Sequence, residues 1–143
     1  MGDNSSGRGE IGDVFVYLCV RGVSEAIEFY KKAFFAEELF RMAQPDGSIG
    51  HAEIKLGPAT LMLADERPGN SFKSPQTYGG TSTIIHLHVQ NVDVMAERAH
   101  GLGAEILRGP SDEPHGERQC LLKDPFGHQW LLGHQIGLAT EQG

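Results

Sequence analysis

The chain has 143 residues, 39% of them hydrophobic, with 12 Lys and Arg against 19 Asp and Glu for a formal net charge of −7. That length fits one domain, or two small repeats that share a core. An acidic chain with no basic stripe is not expected to bind nucleic acid. No apolar run reaches membrane-spanning length, and the polar opening MGDNSSGRGE lacks the hydrophobic stretch of a signal peptide, so no membrane partner is expected. Cys19 and Cys120 stand alone in apolar stretches, which is neither a disulfide framework nor a zinc spacing. A reduced, cytoplasmic location follows as the expectation.

The elements come in a repeating order. Residues 14–20, VFVYLCV, have strand composition. VSEAIEFYKKAFF then carries Ile27, Tyr30 and Phe34 at helical spacing, with Ser24 as the expected N-cap. EELFRM, IGHAEIKL and ATLMLAD read as three strands, parted by the hairpin signals QPDGS and GP. Residues 66–82 are rich in Gly, Pro, Ser and Thr, lack apolar periodicity and read as a linker. The pattern then restarts. TIIHLHV is a strand, and VDVMAERAHGLG is a helix with Asp93 as expected N-cap and Gly103 as its stop. AEILRGP, RQCLLK and HQWLLGH supply three more strands.

Both halves are therefore βαβββ, and they align in detail. CVRGVSEAIEFY lies over HVQNVDVMAERA at a near-constant offset that matches Val20 with Val89, Val23 with Val92 and Glu28 with Glu97. Duplication implies a pseudo-symmetric α+β fold, tandem βαβββ modules forming a curved mixed-sheet cup with helices outside. The expected division is a tail at 1–11, a first module at 12–66, a linker or lid at 67–81, a second module at 82–135 and a tail at 136–143.

Tandem βαβββ modules, AIEFYKKAF after the first strand and a closing KDPFGHQWLL together resemble the vicinal oxygen chelate superfamily of glyoxalases, bleomycin-resistance proteins and dioxygenases. DGSIGHAEIKLG, LMLADE and DPFGH are most similar to its PhnB-like branch. The likeness covers about residues 12–135 and implies the fold more strongly than any reaction. DPFG itself reads as turn chemistry, with Asp124, Pro125 and Gly127 at the first, second and fourth positions of a type I turn.

The resemblance also implies where metal ligands would stand. Those positions fall on Phe15, Met62, Ile84 and Leu131, all apolar, and none offers the oxygen, imidazole or thiolate that a divalent cation needs. No metal and no cofactor is the expectation. His86 and His88 nevertheless share the strand face of Ile84, because side chains alternate. A displaced site would use both, with a third ligand such as His51 or Glu53.

The expected ligand-binding cup thus has walls of Phe15, Met62, Ile84 and Leu131 and polar groups from Tyr17, His86, His88 and Gln129, with Arg118 as a cation for an anionic ligand. Arg118 has an alternative, pairing with Glu117 or Glu113 at the surface. His86, His88 and Tyr17 are the only catalytic candidates, since an imidazole ordinarily titrates near neutral pH. No G-x-S-x-G elbow and no phosphate loop is present.

The first reading is a metal-free protein, not a classical glyoxalase I, that holds a small apolar or aromatic molecule in the cup. The alternative is a metal-dependent lyase, isomerase or dioxygenase with its metal around His86 and His88. A homodimer suits either reading, and also a third, a non-catalytic scaffold.

Overall fold

The computed structural model describes residues 9–137. The first eight residues and the last six of the expected tails lie outside them. The first module runs β1 (Val16–Val20), α1 (Val23–Phe34), β2 (Glu37–Ala43), β3 (Ile49–Leu56) and β4 (Ala59–Asp65). A short helix, α2 (Pro75–Tyr78), follows within the linker. The second module runs β5 (Ile84–His88), α3 (Val92–Gly101), β6 (Glu105–Asp112), β7 (Glu117–Lys123) and β8 (Gln129–Gln135).

Each module makes one mixed four-stranded sheet, ordered β1-β4-β3-β2 and β5-β8-β7-β6. β1 lies parallel to β4 and β5 parallel to β8, while the other neighbours are antiparallel. The parallel pairing follows from the helix, which returns the chain to the far side of its sheet. The tight β3–β4 hairpin pairs Leu56 with Ala59 around Gly57 and Pro58. Gly57 has φ +58, a conformation that costs a residue with a Cβ more than it costs glycine.

One face of each sheet packs on the helices. α1 buries Val23, Ala26, Ile27, Phe29, Tyr30, Ala33 and Phe34, and α3 buries Val92, Ala96 and Ala99. α1 packs on α3, and the apolar residues of both modules join in one core. Trp130 of β8, fully buried, touches Tyr30 and Phe34 of α1 with ring centroids 5.4 and 4.8 Å apart. Full burial of side chains this size is worth roughly 1.5–3 kcal/mol each. The modules are thus held by a shared core behind the sheets.

The helix starts depart from expectation. α1 begins after Gly22, not Ser24, and its first amides are met from β4: Asp65 Oδ1 accepts from the Gly22 and Val23 N–H groups at 2.9 and 2.8 Å. The Ser24 hydroxyl instead accepts from Arg41. α3 is capped by Asn91, whose side chain accepts from Val94 N, rather than by Asp93. Here too the last strand contributes, since Val92 N donates to His134 Nδ1 at 2.9 Å. Asp65 and His134 are sixty-nine residues apart, the same spacing as Val20 and Val89. The duplication therefore extends to how each helix is seated on its own sheet, by a carboxylate once and an imidazole once.

Candidate functional site

Alternation along β5 sends Ile84, His86 and His88 to the face away from the helices, while Ile85 and Leu87 pack on the core. On β8 the neighbours of His86 and His88 are Leu131 and Gly133. On β7 the residue across from Gly133 is Gln119, and two residues before it on the same face stands Glu117. Both are buried polar side chains.

These residues converge. His88 Nε2 lies 2.7 Å from Glu117 Oε2, and His86 Nε2 lies 3.4 Å from Glu117 Oε1. The two imidazoles stand edge to face with centroids 4.8 Å apart. Amides hold the same carboxylate: Gln119 donates to Oε1 at 3.0 Å and Gln135 to Oε2 at 3.3 Å. The Gln119 hydrogen bond, and then His88, hold the Glu117 carboxyl below its usual range against the desolvation of burial. Gly133 leaves the floor open, since a Cβ there would meet Glu117 Oε1 at 2.6 Å and His86 Nε2 at 3.0 Å. The result is an ionised, buried acceptor flanked by two half-exposed imidazoles.

A second polar chain crosses the corresponding face of the first sheet. The Tyr17 hydroxyl is 2.8 Å from His51 Nδ1, and His51 Nε2 is 2.9 Å from Glu53 Oε2. His51 and Glu53 thus partner each other and Tyr17, and the third member of the histidine pair is Glu117 instead. Burial raises the Tyr17 pKa, helped by Cys19 and Glu53. The counterparts of His86 and His88 at the sixty-nine-residue spacing are Tyr17 and Cys19. Cys19 is buried, donates to the Phe72 carbonyl and has its thiol pushed up to about 11, chiefly by burial and then by Glu66 and Asp65. That suits a packed side chain rather than a nucleophile.

The residues expected to share one cup fall on two separate sheets. Tyr17 and Met62 are cross-strand neighbours on the first, with Phe15 just before β1. Ile84 and Gln129 are neighbours on the second, as are His86 and Leu131. Arg118 is a correction. It alternates to the opposite face of β7 from Glu117, where it binds Asp93 at 2.9 Å and Asp112 at 2.7 Å, which raise its pKa. It anchors α3 to the sheet, and its surface partners are those two rather than Glu117 or Glu113.

The linker is folded rather than extended. Phe72 packs edge-on against Tyr17, with centroids 5.2 Å apart, and Arg21 donates to Thr77. Glu66 accepts from Ser74 N and from the Thr77 hydroxyl. Beneath lies a cavity of about 600 Å³ whose lining includes Tyr17, Cys19, Phe72, Tyr78 and His128. Its walls include none of Met62, Ile84, His86, His88 or Leu131.

Residues 12–132 match the Glyoxalase/Bleomycin resistance protein/Dioxygenase superfamily, to which this chain belongs. Over 123 residues it is 40% identical to the uncharacterized protein Mb0911c of Mycobacterium bovis, covering 84% of this chain and 81% of that one. The uncharacterized Rv0887c of Mycobacterium tuberculosis is equally similar, with 72% of its length covered. Among solved structures, TioX from Micromonospora sp. ML1 superposes with a TM-score of 0.68 at 26% identity, covering 88% of this chain and all of TioX. The fosfomycin resistance protein FosX from Listeria monocytogenes shares the fold, with a TM-score of 0.68 at 20% identity over 94% of this chain and 99% of FosX. No helix among the described residues is long and apolar enough to cross a membrane.

The superfamily's expected metal positions do not fit a metal in this chain, because Phe15, Met62, Ile84 and Leu131 offer no donor atoms. At His86, His88 and Glu117 the ligand atoms all lie within 4.8 Å of one another, a grouping that could hold an ion. Glu117 was not legible in the sequence as their partner, being twenty-nine residues beyond His88. Only the pairing of β5 with β8 and of β8 with β7 brings it there.

Proposed function

We propose that this protein binds a small apolar or aromatic molecule against the helix-free faces of its sheets, with Tyr17, His86, His88 and Gln129 as polar anchors. One observation carries the reading. Phe15, Tyr17 and Ile84 stand 45%, 43% and 50% exposed at positions that flank those polar groups. Large apolar side chains exposed beside polar groups suit a surface that meets something other than water. A second copy of the chain fits the same reading, since each sheet keeps unpaired edges at β1, β2, β5 and β6. The PhnB-like affinity rests on DGSIGHAEIKLG, LMLADE and DPFGH.

The test is a thermal-shift screen of aromatic and aliphatic compounds, repeated on Ile84→Ser and Phe15→Ser. A compound that raises the melting temperature of the parent and loses its effect in either variant supports the reading. A panel without a single stabiliser overturns it. A second reading, a metal-dependent lyase, isomerase or dioxygenase, draws on one observation, the convergence of His86, His88 and Glu117.

A further inference from the structure

We propose that His86, His88 and Glu117 form a binding site for a divalent transition metal, displaced along β5 from the position at which the fold's usual ligand would stand. The inference shares its residues with the metal-dependent reading but asks only for metal binding, so it stands or falls apart from any turnover.

Geometry comes first. Ligands bound at about 2.0–2.2 Å in tetrahedral or octahedral arrangement lie about 3.0–3.5 Å from each other. The Nε2-to-oxygen separations at the cluster are 2.7 and 3.4 Å. With all three ligand atoms within 4.8 Å of one another, side-chain rotations that draw them to that spacing would seat a cation between them. The backbone already provides the frame: β5 fixes both histidines on one face, and β7, beyond β8, fixes Glu117 on the same face.

The surroundings fit a site whose carboxylate is held in place. Gln119 and Gln135 each donate to one of the two carboxylate oxygens, as outer groups commonly orient a ligating carboxylate. Gly133 supplies space where any larger residue would press on both Glu117 and His86. In the first module the matching position is Ala64, and the matching partners of the histidines are Tyr17 and Cys19. The opening is thus confined to the module that holds the donors. The histidine side chains are 42% and 63% exposed, so the remaining coordination positions face outward, where a ligand oxygen could enter.

The donor set selects the metal. Two imidazoles and one carboxylate suit Fe(II), Co(II), Ni(II) or Zn(II), whereas Mg²⁺ and Ca²⁺ prefer all-oxygen shells. Two imidazoles hydrogen-bonded to one carboxylate, with no metal affinity, is the competing account.

The experiment uses the full chain without an affinity tag, stripped with chelator and titrated with Co(II) while visible absorption is recorded. Zn(II) is then followed by calorimetry. The expected result is one equivalent per chain, undisturbed by excess Mg²⁺ or Ca²⁺. Affinity should fall by about tenfold or more in His88→Ala and in Glu117→Gln, and stay unchanged in His51→Ala. A parent that takes up no stoichiometric metal overturns the proposal, as does equal affinity in His88→Ala and Glu117→Gln. Should those variants fail to fold, NMR of the parent decides: paramagnetic Co(II) must shift the His86 and His88 ring signals before those of His51, and the reverse order refutes the site.

Discussion

The Tyr30 hydroxyl donates to Asp124 Oδ2 at 2.5 Å, joining α1 of the first module to the β7–β8 turn of the second across 94 positions of sequence. Both residues are buried. Trp130 Nε1 donates to the same oxygen at 2.9 Å, while Oδ1 accepts from the Phe126 and His128 amides. The DPFG turn is therefore also the polar pin of the intermodule core. Burial first, and then the Asp124 charge, raise the Tyr30 pKa well above that of a free phenol, which keeps it a donor.

Removal of that carboxylate should be severe. Asp124→Ala strands the Tyr30 and Trp130 donors without water and breaks the turn, at about 3–5 kcal/mol, since each unsatisfied buried group costs roughly 1–3 kcal/mol. Tyr30→Phe removes one charge-assisted bond and should cost about 1.5–3 kcal/mol. Urea unfolding of both variants checks the order. Equal, small losses would mean that the aromatic packing alone holds the modules together.

The linker should respond to acid through Glu66. Hydrogen bonds from Ser74 and Thr77 bring its carboxyl down from 4.5 to about 2. A depressed carboxyl contributes fully above its unfolded value and loses that contribution as the pH falls through its folded value. The hold on residues 74–77 is therefore complete above about pH 4.5 and fades toward pH 2. Amide exchange at Ser74 and Thr77, corrected for intrinsic rates, should accelerate across that window, and Glu66→Gln should flatten the dependence.

At the end of α1 a phenylalanine occupies a conformation that favours glycine. Phe35 has φ 61° and ψ 34°, and its N–H and that of Ala36 turn back to the Lys31 and Tyr30 carbonyls. Arg98 of α3 places its guanidinium 4.7 Å from the centre of the Phe35 ring and donates to the Lys32 carbonyl. The ring offsets part of the left-handed cost through that cation–π contact. Phe35→Ala keeps the cost and loses the contact, whereas Phe35→Gly loses both. The glycine variant should thus be more stable than the alanine variant by about 1 kcal/mol. Thermal denaturation of the pair would settle the ordering.

Legibility in the sequence followed the range of the interaction concerned. β3 and β4 begin and end where the expected strands do, because GP and QPDGS are local turn chemistry. The duplication was visible because apolar spacing repeats whatever the contacts. Helix starts were less legible: Ser24 and Asp93 are good capping types, yet Asp65 and His134 reach those helices from a strand that follows much later. Arg118 was misplaced by a missing parity argument, since it cannot share the face of Glu117 next to it. α2 escaped notice because four residues carry no periodicity. The face shared by His86 and His88 could be read from alternation, but Glu117 joins them only through two cross-strand pairings.

Gly133 tests whether the histidine cluster needs its open floor. It is not held at a left-handed φ, so its lack of a side chain answers to space and not to backbone conformation. A methyl group there would sit 2.6 Å from Glu117 Oε1 and 3.0 Å from His86 Nε2, both ends of side chains that can move. Gly133→Ala should therefore fold, at a cost of roughly 1–3 kcal/mol typical of overpacking, while pushing the carboxylate away from the imidazoles. The Gly127→Ala contrast is instructive, because Gly127 has φ +94 and its added Cβ would meet Pro75 Cβ at 2.8 Å. That variant should lose stability through the turn and leave the cluster alone. If Gly133→Ala weakens Co(II) uptake by about tenfold or more and Gly127→Ala does not, the open floor belongs to the site. If Gly133→Ala binds as the parent does, Glu117 tolerates displacement and the glycine serves sheet packing alone.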